Sequence, residues 1–416
     1  MANTDFTLSP SSGAEPHNSS TLPLAERHDA GRITISIHFD AAALEAEWRA
    51  LDGNNRNSLH QSFDWCAAWT KTHGSRLLIV RGALGREPLF ILPFEVDRGR
   101  FFHTARLIGS AHSNLNTGLF GNDAEPAPRA ELAAALTEGI SAHLRRFADV
   151  VMLDRIPSMW RGAPHPLSAV PGIENPNASF QLPLLGTMER TLAQLNAKRR
   201  RKKMRISEKR LDAIGGYEYV VARATPEAHA LLDTFFRQKA ARFEALGLPD
   251  AFRDADTRAF FHALIGTFEK GRDAGYLLEL NAIRLKGEHE GRVIAISGLS
   301  RKGDHVICQF GSIDEEIAAD SSPGELLFYR MIERLCGEEV ALFDFGIGDQ
   351  PYKRSWCTVE TRLRDIILPL TPRGYLAAGV QHAVARTKRV IKANKTFYEF
   401  VQRQRQRRQA KSVEDD

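Results

Sequence analysis

Cysteine is scarce in this chain, with only Cys66, Cys308, Cys336 and Cys357 among 416 residues. None sits in a CxxC pair or has a histidine at metal-ligand spacing, so the usual structural zinc patterns are excluded and no metal is expected. Scattered thiols without a secretion signal fit a reducing cytoplasm. Long apolar runs are also missing, and no stretch reaches the length needed to cross a bilayer. Residues 1–30 lack the basic start and apolar stretch of a secretory signal. Their Ser, Pro, Asn and Ala content reads as a disordered leader. Aromatics are absent from the most basic run, Lys198–Arg210, which argues against stacking on single-stranded nucleic acid.

The rest is a globular composition, 43% hydrophobic and 26% charged, long enough for about two to three domains. The net charge of +5 is unevenly spread. Lys198–Arg210 holds nine Lys/Arg against one Glu, and Arg386–Lys411 holds ten against one, which leaves about −12 for the remainder. An acidic body thus carries two basic segments. The first could contact nucleic acid, an anionic sugar or lipid headgroups, or be a solvated interdomain helix. In the second, Val380, Val384 and Ile391 form a stripe with Val390, Phe397 and Val401 beside it. Such a tail could lie on an anionic membrane, dock on a partner, or simply be frayed.

Hydrophobic periodicity orders the chain. ITISIHF from Ile33 reads as a strand, AAALEAEWRAL and Ser62–Thr72 as helices, and RLLIVRG with EPLFILPFEV as a hairpin. ARLIGS follows as a strand, ELAAALTEGISAHLRRF as a helix and DVVMLDRI as a strand. Pro164–Pro183 reads as an interdomain connection. A basic helix over Thr187–Gly215 then precedes the strand YEYVVARA and helices from Pro226 to Leu246 and Asp256 to Gly271. YLLELNAIRL, RVIAISGLS and HVICQFGSI suit an antiparallel meander. A polar loop, Asp314–Gly324, leads to the helix ELLFYRMIERLCG and a strand reaching Asp344. The two halves share this order, which suggests a duplicated α/β fold of mixed sheets flanked by helices. The expected division is a leader at 1–30, an N-terminal domain at 31–185, a C-terminal domain at 186–372 and a basic tail at 373–416.

One segment concentrates chemistry. In FDFGIGDQPYKRSW, Phe343–Trp356, the aromatics alternate with Asp344 along a strand. Gly346 and Gly348 then allow a turn, and Asp349, Tyr352 and Lys353 follow. Polar side chains are delivered to a rigid strand end. Asp344 is the candidate general base, on the expectation that burial raises its pKa, with Asp349 as runner-up. Lys353 could bind an anionic substrate or stabilise an oxyanion. Ser321, Ser322, Pro323 and Gly324 precede a helix start that could hold an anionic phosphate group, with Ser322 as the cap and Pro323 in the first turn. The same residues fit an ordinary capped helix. Lys239 and Arg242 share a helix face that could line an acceptor cleft or be solvated. Tyr352 joins them as a candidate substrate contact.

The element order resembles that of the GNAT acetyltransferases, and in particular the CelD/BcsL type encoded with cellulose and exopolysaccharide biosynthesis. The residues that carry the resemblance are Trp48–Leu51, SFDWCAAW, Ile91–Pro93, LIGSAHSN and Leu153–Pro157 in the first half. In the second they are the Arg-rich helix ending at Gly215–Gly216, VIAISGL, Ser322–Leu327 and FDFGIGDQPYKRSW. The chain lacks the fuller Gln/Arg-x-x-Gly-x-Gly/Ala loop of typical members. The resemblance implies a cytoplasmic acyltransferase that uses acetyl-CoA or another acyl-CoA. Cys308, Gln309 and Phe310 would flank the pantetheine arm, and a small-molecule or saccharide acceptor would receive the acyl group. The chain is also similar to Fem-type ligases, which use aminoacyl-tRNA and a lysine matching Lys353. That leaves a tRNA-dependent ligase, or a non-catalytic component meeting an anionic inner membrane or a synthase through the basic tail, as the alternatives.

Overall fold

The computed structural model describes residues 33–121, 129–266, 275–314 and 316–393. In the first half the strands are β1 (Ile33–His38), β2 (Leu77–Leu84), β3 (Glu87–Arg98), β4 (His103–Leu107), β5 (Leu119–Phe120) and β6 (Val150–Pro157). The short pieces β7 (Met159–Trp160), β8 (Ala163–Pro164) and β9 (Ile173–Glu174) follow, and then β10 (Ser179–Pro183). The helices are α1 (Glu45–Asp52), α2 (Phe63–His73), α3 (Arg129–Ala134) and α4 (Ile140–Leu144), the last two joined by a π-turn over Ala135–Gly139.

In the second half the helices are α5 (Met188–Ala193), α6 (Ala197–Asp212), α7 (Pro226–Leu246), α8 (Ala255–Leu264), α9 (Pro323–Leu335), α10 (Pro351–Trp356) and α11 (Pro372–Ala393). The strands are β11 (Tyr217–Ala222), β12 (Tyr276–Leu285), β13 (Val293–Lys302), β14 (His305–Ile313), β15 (Leu342–Ile347), β16 (Val359–Thr361) and β17 (Leu363–Pro369).

Local chemistry explains most boundaries. Ser62 Oγ accepts from Trp65 N–H to start α2, and Gly74 ends it in the left-handed region. Thr225, Pro226 and Gly247 do the same for α7. The basic stretch expected as one helix is two, because Asn196 caps a new start by accepting from Arg199 N–H. Of the helix expected over Asp256–Gly271, α8 covers the first part, and 267–274 lie outside the described residues.

Two mixed sheets result, ordered β1-β2-β3-β4-β6-β17-β9 and β11-β12-β13-β14-β15-β10-β16, with β5 on β3. Each has one parallel step, β4 with β6 and β14 with β15. The same plan, a mixed sheet with a single parallel step, thus recurs in both halves, as expected of a duplicated α/β fold. The halves also exchange strands. β10, from the connecting segment, pairs with β15 in the second sheet, whereas β17, near the end of the described chain, pairs with β6 in the first. Sheet membership therefore does not follow a cut at residue 185.

The core is shared as well. Phe260 of α8 meets the rings of Trp65 and Trp69 on α2 at 5.0 and 4.9 Å. Lys302 and Asp52 form a buried ion pair between the halves. α11 packs Ala377 against Val150 and Met152 and leaves Tyr375, Leu376, Val380 and Val384 exposed. The side chains of Val390 and Ile391, and Phe397 and Val401 altogether, lie outside the described part. Among the described residues, no helix is long and apolar enough to cross a membrane.

Candidate active site

The parallel ladder between β14 and β15 stops early. Its last rung is Ile307 with Asp344, although β14 runs on to Ile313 and β15 to Ile347. Past that rung the strands diverge, and a cavity of about 510 Å³ opens between them, a size suited to a small-molecule site. Cys308, Gln309 and Phe310 border it from β14, and Phe345 and Ile347 from β15. Lys239 and Arg242 face it from α7, Gly324 from the start of α9, and Tyr352 and Lys353 from α10. Eight of the residues singled out in the sequence thus converge on one space.

The turn after β15 explains how two of them arrive. Gly346 and Gly348 take φ of 74° and 105°, angles that favour glycine. Pro351 then opens the short helix α10, which carries Tyr352 and Lys353. The Lys353 side chain is 4% exposed and donates to the Ile347 carbonyl at 2.6 Å. Burial pulls its pKa down, opposed by Cys308 and Asp344 nearby. Lys239 donates to the Gly311 carbonyl at 3.1 Å, and burial and the Arg242 charge lower its pKa too. Neither lysine has a carboxylate ion-pair partner among the described residues, and both border the cavity. Tyr352 stacks on Phe328, and burial pushes its phenol pKa up, so the hydroxyl stays protonated.

The other candidates sit elsewhere. Asp344 is 1% exposed, within a polar cluster formed with β10 and β14. It accepts from Gly346 N–H at 2.7 Å, Ser179 Oγ at 3.1 Å and the Gln181 amide at 3.4 Å, with His305 Nε2 at 3.6 Å. Burial pushes its pKa up, but the His305 ring and these donors pull further, and the net shift is downward. The expected rise is therefore corrected. The carboxylate at neutral pH is an ion held by donors, and the cavity is lined without it. Asp349 is exposed and ion-paired with Arg354, also outside the lining.

The α9 start needs a correction too. Ser322 is the residue before the helix, but it sits at φ 52° and its side chain makes no capping bond. The N–H groups of Ser321 and Ser322 donate to the Ala318 and Ala319 carbonyls within a 3₁₀ turn, and Ser321 Oγ donates to Ala318 as well. Of the four residues Ser321–Gly324, only Gly324 reaches the cavity. Glu325 beside it is neutralised by Arg200 at 2.6 Å and Lys203 at 3.3 Å. α6 accordingly has a buried side as well as a solvated one. Arg200, Met204, Ser207 and Leu211 form its buried stripe, with the Arg200 guanidinium 3.9 Å from the Trp356 ring centroid.

Two residues at the site escaped the sequence reading. Asn114, from the LIGSAHSN stretch, lines the cavity and donates to the Cys308 carbonyl at 3.1 Å. His60 Nε2 lies 3.1 Å from Gln309 Oε1, and the Gln309 amide donates to Ser300 Oγ at 3.0 Å. The Gln309 side chain is therefore tied into the junction of the halves. Full burial lowers the His60 pKa to about 4, so the ring is neutral there. Only the motif membership of Asn114 marked its stretch in advance.

A strand pair that opens past a short parallel ladder, in the second of two like domains, bears directly on family. Residues 198–354 match the acetyltransferase (GNAT) domain family. The chain thus carries a GNAT-type acetyltransferase domain and is an enzyme of the acyltransferase class. The GNAT match includes the cavity residues from Lys239 to Lys353. Among solved structures, FemX is similar over 80% of this chain and 97% of its own, at 15% identity and a TM-score of 0.53. L-PGS from Bacillus licheniformis is similar over 80% and 93%, at 11% identity and a TM-score of 0.49. A tandem GNAT protein from the clavulanic acid biosynthesis pathway is similar over 82% and 96%, at 12% identity and a TM-score of 0.46. At such identities the FemX likeness is one of fold. No curated protein matches the chain significantly.

Proposed function

We propose that the protein moves an acetyl or related acyl group from acyl-CoA to an amine or hydroxyl acceptor inside the β14–β15 opening. The observation that carries this reading is the early end of the ladder at Ile307 and Asp344, which leaves β14 backbone beside the cavity. An acyl donor arm lying there would pair with strand backbone. The acceptor amine or hydroxyl would attack the thioester carbonyl directly, its proton would pass to the departing CoA thiolate, and no covalent enzyme intermediate would form. Negative charge develops on the carbonyl oxygen, and Lys353 would stabilise it. Lys239 and Arg242 would hold anionic groups of donor or acceptor. A sugar or polysaccharide precursor as acceptor follows from the CelD/BcsL resemblance.

A calorimetric titration of acetyl-CoA into the full chain tests the donor, with Gln350→Trp as the blocked form. Gln350 is an exposed rim residue of the cavity, so a large ring there fills the opening with little strain. Gly324 is a poorer choice, because a Cβ would meet Ile313 Cδ1 at 2.6 Å. We expect wild-type binding that Gln350→Trp weakens at least tenfold. Failure of every acyl-CoA to bind would refute the reading.

A second reading, an aminoacyl-tRNA-dependent ligase, draws on the α9 start. The Ser321 and Ser322 N–H groups that could grip a pyrophosphate are spent inside the 3₁₀ turn. Exposed Lys198, Arg199, Arg201, Lys202 and Arg205 lie on the helix docked beside it. Co-purifying tRNA that leaves with rising salt would favour this reading.

A further inference from the structure

Among the described residues, the first half contributes one side chain to the cavity lining, Asn114. Its Nδ2 donates to the Cys308 carbonyl, one residue past the last β14–β15 rung. On the other strand its Oδ1 lies 2.7 Å from where a Cβ on Gly346 would stand. The amide therefore fills the apex of the opening, where another backbone rung would otherwise form. Any side chain on Gly346 would push it out.

The loop carrying Asn114 is held from below. Arg155 sits at φ 60°, a strained conformation for a residue with a side chain. Its guanidinium donates to the carbonyls of Ser110 and Ser113, and its backbone N–H donates to Asp365 Oδ1 at 3.0 Å. Behind the loop, Gly109 at φ 61° leaves room for Trp69, which a Cβ there would approach to 3.1 Å. Strain, clamp and close packing together fix where the Asn114 amide stands.

We propose that Asn114 is a specificity-determining residue that closes the apex of the donor channel and restricts the acyl group to a short one. This rests on the acyl-CoA reading above. A thioester carried along the β14 edge points its acyl group toward the apex. There the amide, bonded to Cys308, blocks passage between the strands and offers a polar surface that apolar methylenes do not match. Each methylene that finds an apolar place is worth about fourfold in affinity, and that gain is withheld.

The test is calorimetric titration of the full chain with acetyl-, butanoyl- and hexanoyl-CoA, using wild type, Asn114→Ala and Asn114→Ser, each checked by thermal melting. We expect wild type to bind acetyl-CoA about tenfold or more tighter than hexanoyl-CoA. In both variants the affinity for hexanoyl-CoA relative to acetyl-CoA should rise about tenfold. A merely structural role would shift all three ligands by one common factor. An unchanged chain-length ratio in the variants, or equal wild-type affinity for acetyl- and hexanoyl-CoA, overturns the gate alone. Wild type binding none of the three overturns the donor reading and the gate with it. If Asn114→Ala does not fold, the wild-type ratio and the Asn114→Ser variant decide.

Discussion

At the scale of the residue, Asp344 shows how surroundings decide a role. A buried carboxylate is costly unless donors hold it, and here a backbone N–H, a hydroxyl, an amide and an imidazole surround it. We expect Asp344→Asn to cost about 2–4 kcal/mol at neutral pH, because an amide puts a donor opposite Gln181 and His305. Its folded pKa lies below the ordinary unfolded value near 3.9, so the unfolded chain holds the proton more tightly. That stabilisation is complete above about pH 5 and is lost as pH falls through the unfolded value toward the folded one. Urea unfolding of wild type and variant at pH 7 and pH 4 checks the sign. The gap between them should narrow at pH 4, and a gap that widens would contradict the assignment.

At the scale of the element, α6 carries many cations, and one of them is structural. Arg200 is 7% exposed, pairs with Glu325, donates to Ser355 Oγ at 2.7 Å and covers Trp356. Removing it leaves Glu325 with the partly exposed Lys203 and the Trp356 indole N–H as partners, and uncovers an indole face. We expect Arg200→Ala to destabilise by about 1–3 kcal/mol. The neighbouring Arg199→Ala should stay within about 0.5 kcal/mol, since that side chain is exposed. Parallel thermal melts would settle this, and equal effects at the two positions would rule out the docking role given to Arg200.

At the scale of the molecule, strand exchange makes the halves interdependent. Without β17 the first sheet loses one of the two neighbours of β6, and without β10 the second loses one of the two neighbours of β15. Exposed central strands are poor candidates for independent stability. A fragment of residues 31–185 should therefore lack a cooperative melt by circular dichroism, whereas the whole chain should unfold in one main transition. A fragment with a sharp transition of its own would show that the shared core and exchanged strands are dispensable.

Much of the architecture was legible in the sequence. Strands β11 to β15, helices α7 and α9, and the hairpin β2–β3 follow from period-two and helical patterns punctuated by Gly, Pro and capping Thr or Ser. These signals are local, because an apolar face must recur at the spacing of the element that buries it. Local chemistry also marked Lys353, Tyr352, Lys239 and Arg242, and the family resemblance marked the Cys308–Phe310 strand, all of which border the cavity.

Tertiary structure decided what depends on partners far along the chain. The destinations of β10 and β17, the downward shift at Asp344, the spent N–H groups before α9 and the buried face of α6 all arise from such contacts. Asn114 and Cys308 are 194 positions apart, and nothing local to either predicts that they meet. The sequence by itself determined which residues had chemistry to offer, because side-chain type and element period are properties of short segments. Only the packing of the two halves decided which of them face one space, because hydrogen-bond partners, burial and charge balance belong to the assembled molecule.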